Sequence, residues 1–254
     1  MTISSITSTQ ELPFELRSLA SAKRYQKWLY RTVTPFLGKR ILELGAGIGN
    51  MSRWLPLRER LILTENDEGF LQILQRELPQ TFAYSPKLSI RSLDLNDGHF
   101  GGLSEEDLDT IISFNVLEHI EKDDEVLRQL GTLLKQSKAT GPKRLVTLVP
   151  AHQWAYGEMD RSFGHYRRYS AQDWKRLHRE TAPEAKLFVR YMNSFGLAGW
   201  VLNGRILKKS SIGMGSIQTF EALCPFLAPI DDALNKYIHL PFGQSVLAVF
   251  EWES

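Results

Sequence analysis

The sequence predicts an α/β fold in which a doubly wound, mostly parallel seven-stranded sheet carries helices on both faces and a helical insertion before its last strand. Three observations support this prediction. Apolar runs typical of buried parallel strands alternate with segments of helical periodicity. The first run ends in a glycine-rich turn, and polar residues stand at the ends of the next ones. Such turns meet at one edge of a parallel sheet, where ligands bind.

Length and composition agree with this fold class. The 254 residues suit one α/β domain, predicted to span residues 1–254, and 43% hydrophobic residues can supply its core. The net charge of +2 is too small to indicate nucleic acid or an acidic membrane as partner. The single cysteine, Cys224, permits no internal disulfide, which suits a reducing cytoplasm. The N-terminus lacks signal-peptide character and no run of ~18 apolar residues occurs, so we expect a cytoplasmic protein without a spanning helix.

The chain divides into three predicted parts. Residues 12–37 read as one or two helices, with apolar side chains at helical spacing. Residues 38–150 contain five strands and their crossovers, and form the ligand-binding core. Residues 151–254 contain a long polar loop, a helical insertion and the final two strands.

The glycine-rich turn follows the first strand, RILEL at residues 40–44. It places glycine at alternate positions, Gly45, Gly47 and Gly49. Glycines at such a turn tolerate positive φ and let the backbone approach a ligand closely. A dinucleotide fingerprint reads GxGxxG, but here the third glycine comes one residue early and Asn50 takes the later position. A helix-like pattern, MSRWLPL at residues 51–57, is expected to continue from the turn.

Later strands also end in polar residues. The second ends at Glu65, whose carboxylate can accept hydrogen bonds from both ribose hydroxyls of a nucleoside. The third ends at Asp94 and the fourth near Asn115. Asp67 reads as the N-cap of the helix after the second strand. Acidic residues in the first turn of the helix after the fourth strand suit the helix dipole.

An acidic residue two positions before the first glycine of GxGxG, followed by these strand ends in order, resembles the class I S-adenosylmethionine (SAM)-dependent methyltransferase family. The resemblance implies a Rossmann-like sheet and SAM as cofactor. It places Asp94 beside the adenine and Asn115 at the methionine end, while Glu43 orients the loop or reaches the cofactor amine through water. The implied cofactor-binding residues are Tyr25, Glu43, Gly45, Gly47, Glu65, Asp94, Leu95 and Asn115.

The N-terminal helices have two interpretations. Methyltransferases of this type commonly lay such helices over the cofactor, where Arg24 or Tyr25 would reach its carboxylate. Alternatively, Tyr25 and Trp28 pack on the sheet edge. The two interpretations are equally supported for Tyr25, and packing is favoured for Trp28.

Residues 149–174, after the fifth strand, form the second informative region. The segment is too long and too rich in polar and aromatic residues for a simple connector. Histidine suits a general base because its ordinary pKa lies near neutrality. We therefore expect His165 as the base, with His152 and Tyr169 as further catalytic candidates. The substrate-binding candidates are Tyr156 and Arg168.

Within this region, GHYRRYS at residues 164–170 resembles a motif of one bacterial methyltransferase subgroup, whose members often accompany glycosyltransferases. The resemblance marks the acceptor side of the site and leaves the substrate unnamed. Adjacent arginines point in different directions, so one of Arg167 and Arg168 is expected in the site and the other in solvent or paired with an acid such as Asp160. An arginine in the site would suit a phosphorylated or sugar-linked acceptor.

Glu118, His119 and His165 offer a second interpretation, a divalent-metal site. Small-RNA and ubiquinone O-methyltransferases carry Glu-x-x-Glu-His after the fourth strand and a histidine in the following loop. Here Asn115 replaces the first glutamate, which weakens the analogy because hard cations prefer carboxylate oxygen. For Glu118 and His119, capping and packing rank first, base chemistry second and metal binding third. Whether a metal is used stays open.

The remaining segments predict a sixth strand, a helical insertion at residues 196–240 and an antiparallel last strand paired into the sheet edge. The insertion reads as a lid or hydrophobic acceptor pocket, or as a homodimer interface. A weak membrane-surface contact is a third interpretation. It would use Trp200, Leu202, Ile206, Lys208 and Lys209.

The function predicted from these features is SAM-dependent methyl transfer to a hydroxyl, amine or carbon of a small molecule. This molecule could be linked to a sugar or a lipid. Two alternatives remain. A non-catalytic SAM-binding regulator would need the cofactor residues alone, and an NAD-dependent oxidoreductase would need the later glycine that Asn50 replaces.

Overall fold

The computed structural model describes residues 14–98, 100, 102–207 and 213–253. One sheet joins the strands in the order β3-β2-β1-β4-β5-β7-β6, and only β7 runs antiparallel to its neighbours. This confirms the predicted fold class. The strands are β1 Arg40–Leu44, β2 Arg60–Glu65, β3 Leu88–Ser92, β4 Thr110–Phe114, β5 Lys143–Pro150, β6 Lys186–Met192 and β7 Ser245–Trp252.

Helices cover both faces of the sheet. Helices α4 and α6 pack on one face, while α2, α3 and α8 pack on the other. Asp67 caps α3 by accepting a hydrogen bond from the Phe70 peptide N–H, and Ser170 begins α6 with a reciprocal bond to Asp173. The helices are α1 Phe14–Ser21, α2 Lys23–Val33, α3 Glu68–Thr81, α4 Asp123–Gln136, α5 Glu158–Phe163, α6 Ala171–Thr181, α7 Ser194–Trp200 and α8 Met214–Tyr237, with a π-helical turn at Val201–Ile206.

The position of β7 differs from the expected one at the sheet edge. This strand lies between β5 and β6, so β6 is the edge strand. Burial explains the order: nearly every residue of β7 is buried, as a central strand requires, whereas several β6 side chains are exposed or half-buried.

The helix expected directly after the glycine turn does not form. Only a 3₁₀ turn, Ser52–Trp54, occupies this connection before β2. Pro56 lacks a peptide N–H and closes the segment before a regular helix can develop. Helix α2 covers this place instead: the Trp54 indole N–H donates to the Gln26 side chain at 2.9 Å, and the Trp54 ring stacks on Tyr30.

The predicted helical insertion consists of α7, the π-helical turn and α8, and polar contacts attach it to the sheet. The Asp231 carboxylate accepts hydrogen bonds from the peptide N–H groups of Asn193 (3.0 Å) and Ser194 (2.8 Å), where α7 begins. The Trp28 indole N–H of α2 donates to Asp232 at 3.2 Å. These contacts hold α8 against α2 and against the start of α7 after β6. Among the described helices, none is long and apolar enough to cross a membrane.

Candidate active site

A cavity of about 1110 Å³ opens at the carboxyl ends of the parallel strands. One part, here called the strand end, is formed by the turns after β1 to β4. The opposite part, the helix end, is formed by α5, α7 and α8 together with residues 165–168. The eight residues predicted to bind the cofactor all line the cavity, as do His165 and Arg168, whereas His152, Tyr156 and Tyr169 are absent from its described lining.

The glycine turn gives the strand end its shape. Gly45 and Gly47 have φ values of 60° and 56°, in the left-handed region that glycine adopts without strain. A Cβ atom on Gly45 would lie 2.6 Å from Val116 Cγ2. A side chain at Gly45 would therefore strain the backbone and clash with the neighbouring loop, so glycine is needed for the geometry of the turn.

The Glu65 carboxylate anchors the glycine turn. Its Oε2 accepts a hydrogen bond from the Gly47 N–H at 2.7 Å, and its Oε1 accepts from the N–H groups of Asn66 (2.9 Å) and Asp67 (3.0 Å). Each carboxylate oxygen has two lone-pair positions. Oε2 therefore keeps one position for a cofactor hydroxyl, fewer than the two-hydroxyl contact expected from the sequence.

Asp94 and Asn115 complete the strand end. Asp94 Oδ1 accepts hydrogen bonds from the peptide and amide groups of Asn96, at 2.9 and 3.0 Å. Leu95 is buried beside it and lines the cavity. Asn115 has a positive φ of 53°, and its peptide N–H donates to the Leu148 carbonyl at 2.8 Å. This bond fixes the turn after β4 against β5.

Tyr25 reaches the cavity and Arg24 does not. The Tyr25 ring meets Phe220 edge to face, with centroids 5.6 Å apart. Arg24 donates from its peptide N–H and its guanidinium to the side chain and carbonyl of Glu221. Of the two residues considered for the cofactor carboxylate, Tyr25 is thus the one placed to meet a ligand.

Glu43 is buried at the strand end, with 2% of its surface exposed. Its Oε2 has no hydrogen-bond partner among the described residues. Burial raises the pKa of this carboxyl to about 8, and the nearby Glu65 charge contributes in the same direction. The Glu43 side chain is therefore largely protonated at neutral pH.

The Glu43 pKa gives a prediction for stability. The folded pKa of about 8 lies above the ordinary 4.5, so this group's contribution is complete below pH 4.5 and is lost as the pH rises to about 8. Within that window we expect the wild-type free energy of unfolding to fall by up to ~1.4 kcal/mol per pH unit relative to Glu43→Gln. Denaturant titrations across the window test this, with exposed Glu59→Gln as control. Equal pH dependence in wild type and Glu43→Gln would contradict the assigned burial cost.

At the helix end, Asp160 joins two cavity residues. Its Oδ1 lies 2.9 Å from His165 Nδ1 and accepts a hydrogen bond from Arg168 Nε at 2.7 Å. Burial opposes ionisation of Asp160, but the bonds from His165 and Arg168 hold its pKa below the ordinary value. A carboxylate can only accept, so a neutral His165 ring would carry its proton on Nδ1 and its lone pair on Nε2. Nε2 is buried without a hydrogen-bond partner among the described residues.

Glu118, His119 and His165 also lie together. One ligand-type atom from each falls within 4.8 Å of the others. The two imidazole rings meet edge to face at 4.7 Å, and burial, followed by the neighbouring His165, lowers the His119 pKa to about 4. Two imidazoles and a carboxylate are a donor set that suits a transition metal. Glu118 and His119 were expected to cap the helix and pack, and together with His165 they also form a set that could bind a metal ion.

Tyr169 was a catalytic candidate, and the structure corrects this expectation. Its side chain points away from the cavity into the core and is 1% exposed. The hydroxyl oxygen lies 2.8 Å from Asp123 Oδ2 and 3.0 Å from the Leu117 carbonyl oxygen, the two acceptors for its one hydrogen, while the ring stacks on Trp174. Burial raises the phenol pKa, and Asp123 raises it further. Tyr169 therefore fixes the loop to α4.

His152 and Tyr156 also serve the loop rather than the cavity. The His152 ring lies between Tyr191 and Trp154, with centroids 4.6 and 5.3 Å away, and its Nε2 accepts from the Gly243 N–H. Burial, with the Arg168 charge, lowers the His152 pKa. The Tyr156 hydroxyl donates to the His165 carbonyl at 2.7 Å. These contacts place both side chains outside the described cavity lining and support the position of His165.

The two arginines divide in an unexpected way. Arg168 lines the cavity and is also the one paired with Asp160, and its guanidinium carbon lies 4.5 Å from the centroid of the Trp200 ring. Arg167 binds Asp123 at 2.6 Å. An arginine compensated in this way is a poor receptor for a substrate phosphate, contrary to the expectation from the sequence.

Two contacts of the site were not predicted from the sequence. Asp160 orients His165, and Asn50 donates to the Leu16 carbonyl at 2.9 Å, holding α1 over the glycine turn. Trp200, in the insertion predicted as a lid or acceptor pocket, lines the cavity. The position of Asp160, five residues before His165 and eight before Arg168, was the one available signal. The Asn50 contact is tertiary, and no local pattern encodes it.

Comparison with known proteins agrees with the core geometry. Residues 42–137 match the family model described as a methyltransferase domain. This segment contains the glycine turn and the strand ends that carry Glu65, Asp94 and Asn115. No curated protein matches the sequence significantly.

Solved structures share the fold at low sequence identity. Magnesium protoporphyrin IX methyltransferase from Synechocystis PCC 6803, with bound SAH, is 15% identical and superposes with a TM-score of 0.53 over 72% of this chain and 83% of that one. Phosphoethanolamine N-methyltransferase 2 from Haemonchus contortus, in complex with S-adenosyl-L-methionine, is 12% identical, with a TM-score of 0.60 over 97% of this chain and 58% of that one. These likenesses establish the fold.

Proposed function

We propose that this SAM-dependent methyltransferase transfers the methyl group to a hydroxyl or amine of a small molecule, and that His165, oriented by Asp160, accepts the acceptor's proton. The observation that carries the proposal is the Asp160–His165 pair, with Nδ1 held at 2.9 Å and Nε2 buried beside the cavity without a described partner. A base held by a third group in this way is the usual arrangement for activating a nucleophile.

The residues at the strand end would hold the cofactor. The glycine turn leaves room for a ligand at the backbone, as the φ values of Gly45 and Gly47 indicate. Glu65 Oε2 would accept a ribose hydroxyl, while Asp94 and Leu95 would flank the adenine. Asn115 and Tyr25 would contact the methionine end, and Glu43 would support the loop. When bound, SAM supplies an electrophilic methyl group.

The helix end would position the acceptor and take its proton. The helix end must place the acceptor in line with the methyl group at ~3 Å, and exclude water from this point. His165 Nε2 would take the proton of the hydroxyl or amine as that atom bonds to the methyl carbon, while the bond from that carbon to sulfur would break and S-adenosylhomocysteine would leave. Asp160, with its charge balanced by Arg168, would stabilise the imidazolium that results.

The GHYRRY segment supports placing this chain in the bacterial subgroup with that motif, as part of the same proposal. Three of its side chains make buried or half-buried contacts that shape the helix end: His165 with Asp160, Arg167 with Asp123, and Arg168 with Asp160. A small-molecule acceptor agrees with the small net charge of +2, which gives no basis for a nucleic-acid substrate.

The first test is cofactor choice and turnover. We expect calorimetry to detect binding of SAM and S-adenosylhomocysteine but not of NAD. With SAM labelled on its methyl group, incubation with hydroxyl and amine acceptors should release S-adenosylhomocysteine and transfer the label. Failure to turn over any acceptor despite tight SAM binding would favour the regulatory alternative. NAD binding would instead revive the oxidoreductase.

A second arm separates a base from a metal ligand. If His165 acts as a base, activity should survive chelator treatment. Inactivation by chelator, reversed by Mg²⁺ or Zn²⁺, would assign Glu118, His119 and His165 to an ion and overturn the base assignment.

A further inference from the structure

We infer that the acceptor is an uncharged molecule with a large apolar body, bound against an aromatic wall at the helix end. This wall consists of four aromatic side chains and one aliphatic side chain: Phe163, Phe195, Trp200, Phe220 and Ile217. The inference rests on the proposed function, because it assigns the part of the cavity that the cofactor residues leave over.

The size of the cavity is the first argument. Pockets for single drug-sized ligands usually measure about 300–1,000 Å³, and this one measures about 1110 Å³. The predicted cofactor contacts are confined to the strand end and to Tyr25. The helix end therefore offers room for a second molecule of substantial size beside the cofactor.

The chemistry of the wall is the second argument. Phe163 lies between His165 and Trp200, with ring centroids 5.8 and 6.3 Å away, so the aromatic surface begins directly beside the proposed base. Phe220, another residue of the wall, packs against Tyr25. The hydrogen bonds of Asp231 to the start of α7 hold this wall in place. Large aromatic surfaces beside a reacting position are stabilised by covering them with apolar ligand.

Charge is the third argument. Arg168 is the one lysine or arginine among the described lining residues, and it is compensated by Asp160 and covered by Trp200. Carboxylates line the strand end at Glu65, Asp67 and Asp94. An anionic acceptor would lose its water without gaining a free cation, which is costly. A phosphate or carboxylate on the part of the acceptor that lies against the wall is therefore disfavoured.

Two buried polar atoms next to the wall are available to hydrogen-bond the acceptor. The Trp200 indole N–H and His165 Nε2 are buried and have no hydrogen-bond partner among the described residues. They provide one donor and one acceptor next to the apolar wall. This complement suits a neutral acceptor with a hydroxyl directed to His165 and a further oxygen near Trp200.

Two fluorescent probes with the same aromatic body test the inference in protein saturated with S-adenosylhomocysteine. N-phenyl-1-naphthylamine is uncharged, and 8-anilino-1-naphthalenesulfonate carries a sulfonate. We expect the uncharged probe to bind at least ~10-fold more tightly, because the anion would be buried without a free counter-charge. Trp200→Ala and, independently, Phe220→Ala should weaken its binding by ~10-fold, the loss that accompanies removal of an aromatic anchor.

Phe226→Ala is the matched control, because Phe226 is on the same helix as Phe220 but is 71% exposed outside the cavity. It should leave probe affinity unchanged. Equal or tighter binding of the sulfonate, or an equal loss in Phe226→Ala, would overturn the inference. Thermal melting identifies a variant that fails to fold, and the other then decides. Probe binding needs no turnover, so an apolar site could stand even if His165 proved not to be the base.

Discussion

His165→Ala is expected to reduce methyl transfer by ~10²-fold or more while leaving SAM affinity nearly intact, the usual scale for a positioned acid–base group. His165 lines the cavity at the helix end, whereas the predicted cofactor contacts lie at the strand end. The measurements are single-turnover rates with saturating SAM and calorimetric SAM affinity. His239→Ala, which changes an exposed histidine outside the cavity lining, is the control.

The same experiment includes a positioning residue. Asp160→Asn keeps the shape of the side chain but removes the charge that fixes the His165 tautomer. We expect kcat to fall and the limb of the pH–rate profile that depends on His165 to move, with KM for SAM unchanged. A merely structural role would lower stability without moving this limb. If His165→Ala retains full activity over the pH range, the base assignment is wrong.

The strand end was predictable because its geometry follows from the topology. Once apolar runs are recognised as parallel strands, the residues after them must meet at one edge. Gly45, Glu65, Asp94 and Asn115 therefore line one cavity although they are far apart in sequence. The glycine spacing indicated SAM rather than a dinucleotide as the cofactor. The match of residues 42–137 to a methyltransferase domain supports this choice.

The helix end could not be predicted in the same way. In the GHYRRY segment, neighbouring residues differ in direction by packing alone: Arg168 faces the cavity, while Tyr169 enters the core to meet Asp123 and Trp174. Composition shows that such a loop contains many residues capable of catalysis or binding, but it does not show which side chain faces the cavity. Asp160 was considered as an arginine partner, and its second bond, to His165, needed three-dimensional contacts.

The missing helix after the glycine turn has a similar origin. Residues 51–57 carry apolar side chains at helical spacing, but Pro56 and the short path to β2 leave a 3₁₀ turn. The apolar residues still find burial, because α2 packs where the helix was expected. Local periodicity thus predicted the burial of these residues correctly but their helical structure wrongly.

The residues considered for a membrane contact do not form one described surface. Lys208 and Lys209 lie outside the described residues, whereas Leu202 and Ile206 are exposed and Trp200 lines the cavity.

Glu65→Ala is expected to weaken SAM binding by ~5- to 150-fold, corresponding to the ~1–3 kcal/mol lost when buried hydrogen bonds are left unmade. The effect has two sources. The variant removes the acceptor for the Gly47, Asn66 and Asp67 N–H groups, and it removes the acceptor proposed for the ribose. Glu68→Ala, which deletes an exposed carboxylate in the first turn of α3, is the control and should change SAM affinity little.

Deoxy analogues of S-adenosylhomocysteine separate the two sources in a double-mutant cycle. If Glu65 Oε2 accepts from one ribose hydroxyl, wild type should lose affinity for the analogue that lacks this hydroxyl, whereas Glu65→Ala should bind it as well as the parent compound. Because only one lone-pair position on Oε2 remains beside the Gly47 bond, coupling is expected with one hydroxyl and not with both. Coupling with neither would leave Glu65 as an anchor of the glycine turn alone, and coupling with both would show that the Asn66 and Asp67 bonds give way when the cofactor binds.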